Sequence, residues 1–236
     1  MGSIRKYVAE LIGTMVLVIM GCGTAMTVGC DAVLGGGYIL TALAFGLAIV
    51  ALAYSVGNIS GCHVNPAVSI AFWIQGDLKT KEFCGYIISQ TIGALLGAFV
   101  LKVVFSLGEI TDMTKALGSN GIAGVKDSIA AGLIVECILT FIFVFAILGV
   151  TSKKAGHGHV AGLVIGLTLV LVHILGIGLT GTSVNPARSL GPAIVAAIFG
   201  NTAPIADVWI FIAGPLAGAV LATVAYRFLD PAEQTE

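Results

Sequence analysis

The sequence predicts an all-α membrane protein, with six transmembrane helices plus two re-entrant half-helices in an inverted repeat. Three observations carry this prediction. The composition is 58% hydrophobic and 10% charged with a mean hydropathy of +1.06, whereas a soluble domain carries about 25% charged residues. Six apolar runs are long enough to cross a bilayer. And Gly61-Cys62-His63-Val64-Asn65-Pro66-Ala67-Val68-Ser69 returns in the second half as Gly181-Thr182-Ser183-Val184-Asn185-Pro186-Ala187-Arg188-Ser189, each copy opening an apolar run too short to span.

A full span needs roughly 20 apolar residues at about 1.5 Å rise each. In chain order the runs that satisfy this are Ile4–Val28, Tyr38–Val56, Glu82–Ser106, Ser128–Val150, Val160–Gly178 and Val208–Leu229. The first exceeds the core of a signal peptide and lacks a clear cleavage site, so it is expected to be retained. Pro66–Gln75 and Pro186–Phe199 reach only about 15 to 21 Å, near half a membrane, and are expected to be re-entrant. Gly93-x-x-x-Gly97, Gly162-x-x-x-Gly166 and Gly214-x-x-x-Gly218 have the spacing that lets helices approach closely in lipid.

Each half reads span, span, half-helix, span. Glu10 in the first span answers Glu136 in the fourth, and Asn65 answers Asn185. Three spans per half is odd, so the halves insert with opposite orientations. The expected organisation is one transmembrane domain over 1–236, with repeats at about 4–106 and 128–229 and a disordered tail at 230–236. Arg5, Lys6, Lys79, Lys81, Lys153, Lys154 and Arg227 fall on one side, and Lys115 and Lys126 on the other with Lys102 snorkelling near it. This bias places both termini in the cytoplasm, with the chain in the cell (inner) membrane.

The charge balance of −1 provides no basic patch for nucleic acid and no acidic sink for metal. No cofactor or metal is implied, and the cargo is expected to be neutral. Five cysteines, Cys22, Cys30, Cys62, Cys84 and Cys137, form neither a Cys-x-x-Cys pair nor a disulfide framework. No Gly-x-Ser-x-Gly, His-Glu-x-x-His or paired catalytic acids stand on the spans, which argues against an enzyme.

Non-helical chain at membrane depth survives only where it lines water or is buried in protein. Asn58–Val64 and Gly178–Val184 are therefore expected to be irregular and to line a lumen, with the carbonyls of Gly61, Cys62, His63 and Gly181 as acceptors. Asn65 and Asn185 precede Pro66 and Pro186, an N-cap followed by a helix-starting proline, and their amide NH₂ groups are expected to stay free toward the lumen. Glu10 and Glu136 are expected to accept hydrogen bonds from the loop amides. Arg188 stands only in the second copy, where a buried charge marks a functional site.

The doubled Asn-Pro-Ala (Asn65-Pro66-Ala67 and Asn185-Pro186-Ala187), the six spans and the two glutamates resemble the aquaporin (major intrinsic protein) family over nearly the whole chain. The resemblance implies an outer constriction at Phe45, His173, Thr182 and Arg188, like that of water-selective bacterial members. Glycerol-conducting relatives usually carry a small residue where His173 stands, and Asp where this chain has Ser189. It also implies a homotetramer embedded in lipid, with water as the permeant. A facilitator of glycerol, ammonia or hydrogen peroxide is the alternative, and a coupled transporter a more distant one, since inverted repeats and broken helices serve both. Cys62 departs from the Gly or Ala of many water-selective members, as a packing group or as a thiol that makes the lumen sensitive to mercurials.

Overall fold

The computed structural model describes residues 3–30, 36–152, 154 and 156–230. Lys153 and the tail from 231 on lie outside the described residues. Among the described residues the chain forms α1 (Ser3–Val28), α2 (Gly36–Ser55), α3 (Gly57–Ser60), α4 (Pro66–Gln75), α5 (Thr80–Leu107), α6 (Ile129–Thr151), α7 (Ala161–Thr180), α8 (Pro186–Ile198), α9 (Ala203–Asp207) and α10 (Ile210–Leu229), with no strand. The long helices α1, α2, α5, α6, α7 and α10 are apolar enough to cross a bilayer, and their bounds agree with the sequence-based ones to within two residues.

The irregular stretches are shorter than expected. Val56 leads into the turn α3 rather than into loop, and α7 runs on through Gly178 to Thr180. Glycine weakens a helix without ending it when tertiary contacts hold the turn. At Gly178 that contact is Tyr38, whose hydroxyl accepts from Gly178 N and donates to Ile174 O, 2.9 Å each, bridging one rung of the helix. The helices stop where the backbone turns left-handed, at Gly61 (φ 88°) and Gly181 (φ 72°). What remains irregular is Gly61–Asn65 and Gly181–Asn185.

Three helix pairs form the frame: α1 with α5, α6 with α10, and α2 with α7. Glycines set their separation. A Cβ on Gly93 would collide with the Leu11 carbonyl and one on Gly97 would lie 2.7 Å from Met15 O. In the other half, a Cβ on Gly218 would collide with the Cys137 carbonyl and one on Gly214 would sit 2.8 Å from Glu136 Cβ. Between α2 and α7, Gly46 and Gly166 face one another, each leaving about one atom less than a side chain needs above the other's carbonyl. The half-helices α4 and α8 fill the space between the pairs, α4 against α10 and α8 against α5.

Charge sorts to the two ends. Lys6 pairs with Glu82 at 2.9 Å, Tyr7 donates to Lys81 O, Arg227 donates to Gln75, and Lys154 pairs with Asp230 at 2.6 Å. These contacts bring the start of α1 and the end of α10 to the same end. At the opposite end Lys102 lies 5.1 Å from the centre of the Phe199 ring, its stem along apolar surface.

Gly93→Val should lower the thermal midpoint of the protein in detergent, corresponding to about 1–3 kcal/mol or more of overpacking. Gly36→Ala, where a Cβ meets nothing within 4 Å, should leave it unchanged or raise it. Circular dichroism melting of the two variants checks the pair.

Candidate functional site

The tips of α4 and α8 meet at the centre of the bundle. Asn65 caps α4 by accepting from Ala67 N at 2.8 Å, and Asn185 caps α8 by accepting from Ala187 N at 3.1 Å and Arg188 N at 3.2 Å. Their amides cross between halves: Asn65 Nδ2 donates to Val184 O and Asn185 Nδ2 donates to Val64 O, both at 2.8 Å. The expectation of free NH₂ groups is therefore half corrected. Each amide ties down the opposite loop with one N–H and keeps the other.

Each loop is held by a buried carboxylate. Glu10 accepts from His63 N (2.9 Å), Val64 N (2.6 Å), Ser60 Oγ (2.7 Å) and Gln90 Nε2 (2.7 Å). Glu136 accepts from Ser183 N (2.9 Å), Val184 N (2.9 Å) and Thr180 Oγ1 (2.7 Å). With their amides turned toward these acids, the loops adopt positive φ at Cys62 (52°), Val64 (43°), Thr182 (47°) and Val184 (45°). Left-handed backbone is strained for such side chains, most of all for β-branched ones, and the charge-assisted hydrogen bonds offset that strain. Among the described residues no donor reaches the carbonyls of Gly61, Cys62, His63 or Gly181.

Two small cavities run in line along these loops. The upper one, of about 20 Å³, is walled by Leu17, Phe45, Ile49, Phe143 and Leu169 on its apolar part and by Asn65, His173, Asn185 and Arg188 on its polar part. The lower one, of about 50 Å³, is lined by Gly61, Cys62, His63 and Phe72 among others, and shares Ile49, His63 and Phe143 with the upper. A cavity of the upper one's size holds about one water molecule.

At the upper cavity Phe45 stacks on His173 with ring centroids 4.6 Å apart, and the Arg188 guanidinium lies 4.9 Å from the Phe45 centroid. Gly21 makes room for Phe45, since a Cβ there would run into the ring. His173 Nδ1 lies 2.9 Å from Leu169 O, and a carbonyl only accepts, so Nδ1 carries the proton. In the neutral imidazole the other ring nitrogen, Nε2, is then an acceptor, and it has no protein partner. Thr182 is fully buried, with Oγ1 turned against Gly176 and outside the cavity lining. Of the four residues expected at the constriction, Phe45, His173 and Arg188 line this cavity.

Sequence reasoning missed several supports. Gln90 is a polar residue inside an apolar span and was detectable as such. It donates to Glu10 and to Ser69 Oγ (3.0 Å). Ser69 in turn lies 3.2 Å from His63 Nδ1, whose ring stacks on Phe72. Asn120, in the loop between α5 and α6, accepts from Arg188 Nη1 at 2.6 Å; nothing in the sequence singles it out from its polar neighbours.

Six spans, two half-helices meeting tip to tip and a small cavity at their junction, with an apolar wall and a few polar groups, define a membrane channel protein. A family model described as Major intrinsic protein matches residues 1–226. The chain belongs to the major intrinsic protein family. It is 41% identical over 230 residues to Aquaporin Z of Rhodopseudomonas palustris, covering 96% of this chain and 94% of the relative. It is 41% identical over 236 residues to Aquaporin Z of Photorhabdus laumondii subsp. laumondii, covering 98% and 100%. The X-ray structure of the aquaglyceroporin from Plasmodium falciparum matches with a TM-score of 0.85 at 25% identity, over 95% of this chain and 96% of that one.

Glu136→Gln should destabilise the protein by about 1–3 kcal/mol, because an NH₂ replaces one acceptor that faces buried backbone donors. Glu82→Gln at the surface ion pair should change stability by about 1 kcal/mol or less. Thermal unfolding of both in one detergent separates a brace from a surface pair.

Proposed function

We propose that the chain is a passive water channel that excludes ions and protons. The observation that carries the reading is the upper cavity, room for about one water molecule, with an acceptor at His173 Nε2 and donors at Arg188, Asn65 and Asn185. A single file needs those groups to replace part of its lost hydration, and the apolar wall opposite keeps the file from sticking. The two relatives named Aquaporin Z support the same reading.

Charge exclusion follows from three effects that add at one level of the membrane. Each half-helix N-terminus carries roughly +0.5 charge, Arg188 adds a full charge, and stripping water from a cation has an idealised cost on the order of 20 kcal/mol. Protons are excluded because Asn65 and Asn185 both donate, which turns the oxygen of the central water toward the midplane and breaks the donor sequence along the file. Glycerol is not favoured, since the Phe45–His173 stack fills the space that a carbon backbone requires.

The assembly belongs to the same proposal: a single transmembrane domain built of inverted repeats over about 4–106 and 128–229, in the cell (inner) membrane with both termini cytoplasmic, assembled as a homotetramer with one pore per subunit. The charge sorting supports the orientation. The exposed apolar residues of α2 and α7, such as Leu43, Leu47, Leu167 and Leu171, face lipid or a second copy.

In proteoliposomes under an osmotic gradient, stopped-flow light scattering should show shrinkage several-fold faster than in empty vesicles; equal rates would remove the reading. His173→Gly should admit glycerol, measured as swelling after a glycerol jump. Arg188→Val should keep a water flux and raise proton leak, read with an entrapped pH dye. Unchanged proton exclusion would show that the half-helix field alone suffices.

A further inference from the structure

Among the described residues Arg188 is the one Lys or Arg that lines either of the two cavities, and its side chain has a single hydrogen-bond acceptor, Asn120 Oδ1 at 2.6 Å. Its Nε is buried without a partner, and among the described residues no carboxylate pairs with it. Where the guanidinium lies is therefore decided by a residue outside both half-helices and both loops. The loop that delivers Asn120 is itself fixed. The Asp112 carboxylate accepts from Thr114 N (2.9 Å), Thr114 Oγ1 (2.6 Å) and Leu117 N (2.7 Å), and Met113 N donates to Met26 O at 2.9 Å. Gly118, at φ +68°, lies so close to α1 that a Cβ would approach Cys22 Cβ to 2.8 Å. Asn120 is left buried.

Its amide can sit only one way round. Nδ2 donates to Thr180 O at 3.1 Å, and Oδ1 accepts from Arg188 and from Ser189 Oγ at 2.7 Å. Flipped, it would set a donor against the Arg188 guanidinium, which only donates, and an acceptor against a carbonyl, which only accepts. Thr180 is the residue whose hydroxyl binds Glu136, so the anchor of Asn120 belongs to the clamp that shapes the second loop.

We propose that Asn120 is the positioning residue for Arg188: it draws the guanidinium aside, next to Phe45, and so keeps the upper cavity open to water. The proposal rests on the reading of Arg188 as a lumen residue of a water channel. A hydrogen bond to a charged group biases a conformational equilibrium by roughly tenfold or more. The cavity has room for about one water, so a guanidinium released into it leaves none.

The test is a double-mutant cycle on osmotic water flux in proteoliposomes, with Asn120→Ala made in the wild-type chain and in Arg188→Val. The expected result is a fall of about threefold or more in the wild-type background, set by the roughly tenfold bias, and little further change in Arg188→Val. Equal falls in both backgrounds would mean that Asn120 only holds the loop together, and would overturn the proposal, as would an unchanged flux. Asn120→Asp, which keeps an oxygen in place for Arg188, should retain more flux than Asn120→Ala; the reverse order would also overturn it. A second measurement does not depend on conduction. The chain has three arginines, Arg5, Arg188 and Arg227, so ¹⁵N spectra of lipid-embedded protein can resolve the Nη signals of Arg188. They should be distinct in wild type and merge in Asn120→Ala. Distinct signals in both would refute the proposal, whereas merged signals without any water flux in wild type would uphold the positioning role and sink the water-channel reading.

Discussion

A backbone amide left bare in the middle of a membrane is costly, and this chain has two stretches where helix stops at that depth. The rest of the site follows from how those amides are satisfied. Glu10 takes His63 N and Val64 N, and Glu136 takes Ser183 N and Val184 N. Capturing the N–H groups on the wall side fixes the carbonyls on the other side, so the brace and the row of acceptors are one arrangement. It also explains why the backbone holds positive φ at Val64 and Val184, conformations that a valine would not keep without partners that over-determine them.

The cross-tie of the asparagines closes the structure. Each half-helix tip holds the loop of the opposite half through Val184 O or Val64 O, so neither loop can shift without disturbing the other tip. Two partial positive charges are thereby pinned at one level, next to a cavity of about 20 Å³. Rigidity, charge placement and width come from the same few hydrogen bonds. The glycine contacts between α1 and α5 and between α6 and α10 serve this end too, since they carry Glu10 and Glu136 to within reach of the loops.

The spans and half-helices were legible in the sequence because each has a local signal: apolar length for α1 or α6, an Asn-Pro start for α4 and α8. The loop brackets were legible because an acid inside an apolar span has few uses and the two copies agree. What was not legible depends on contacts between distant segments. That α7 continues through Gly178 is due to the Tyr38 hydroxyl, from a different helix. The acceptor face of His173 depends on its rotamer against Leu169 O. The family resemblance implied a constriction residue at Thr182, whereas its hydroxyl turns to Gly176. Asn120 sits in a loop whose polar composition looks like that of any exposed connection, and only its burial and its partners reveal its place.

The two loops share their left-handed backbone at Cys62 and Val64 and at Thr182 and Val184 and differ in their side chains. Cys62, His63 and Val68 in the first copy stand where the second has Thr182, Ser183 and Arg188. In the first half, His63 stacks on Phe72 and meets Ser69, with Gln90 as an additional donor to Glu10. In the second, Ser183 and Ser189 are small enough to leave a path for Asn120 to reach Arg188. The two copies thus border one cavity of about 50 Å³ without a charged side chain in its lining and one of about 20 Å³ that Arg188 lines. A charge in both copies would add desolvation cost along the whole file. In the proposed channel, one charge at one level would supply the barrier to cations and leave the remaining length to groups that bind water weakly enough to release it.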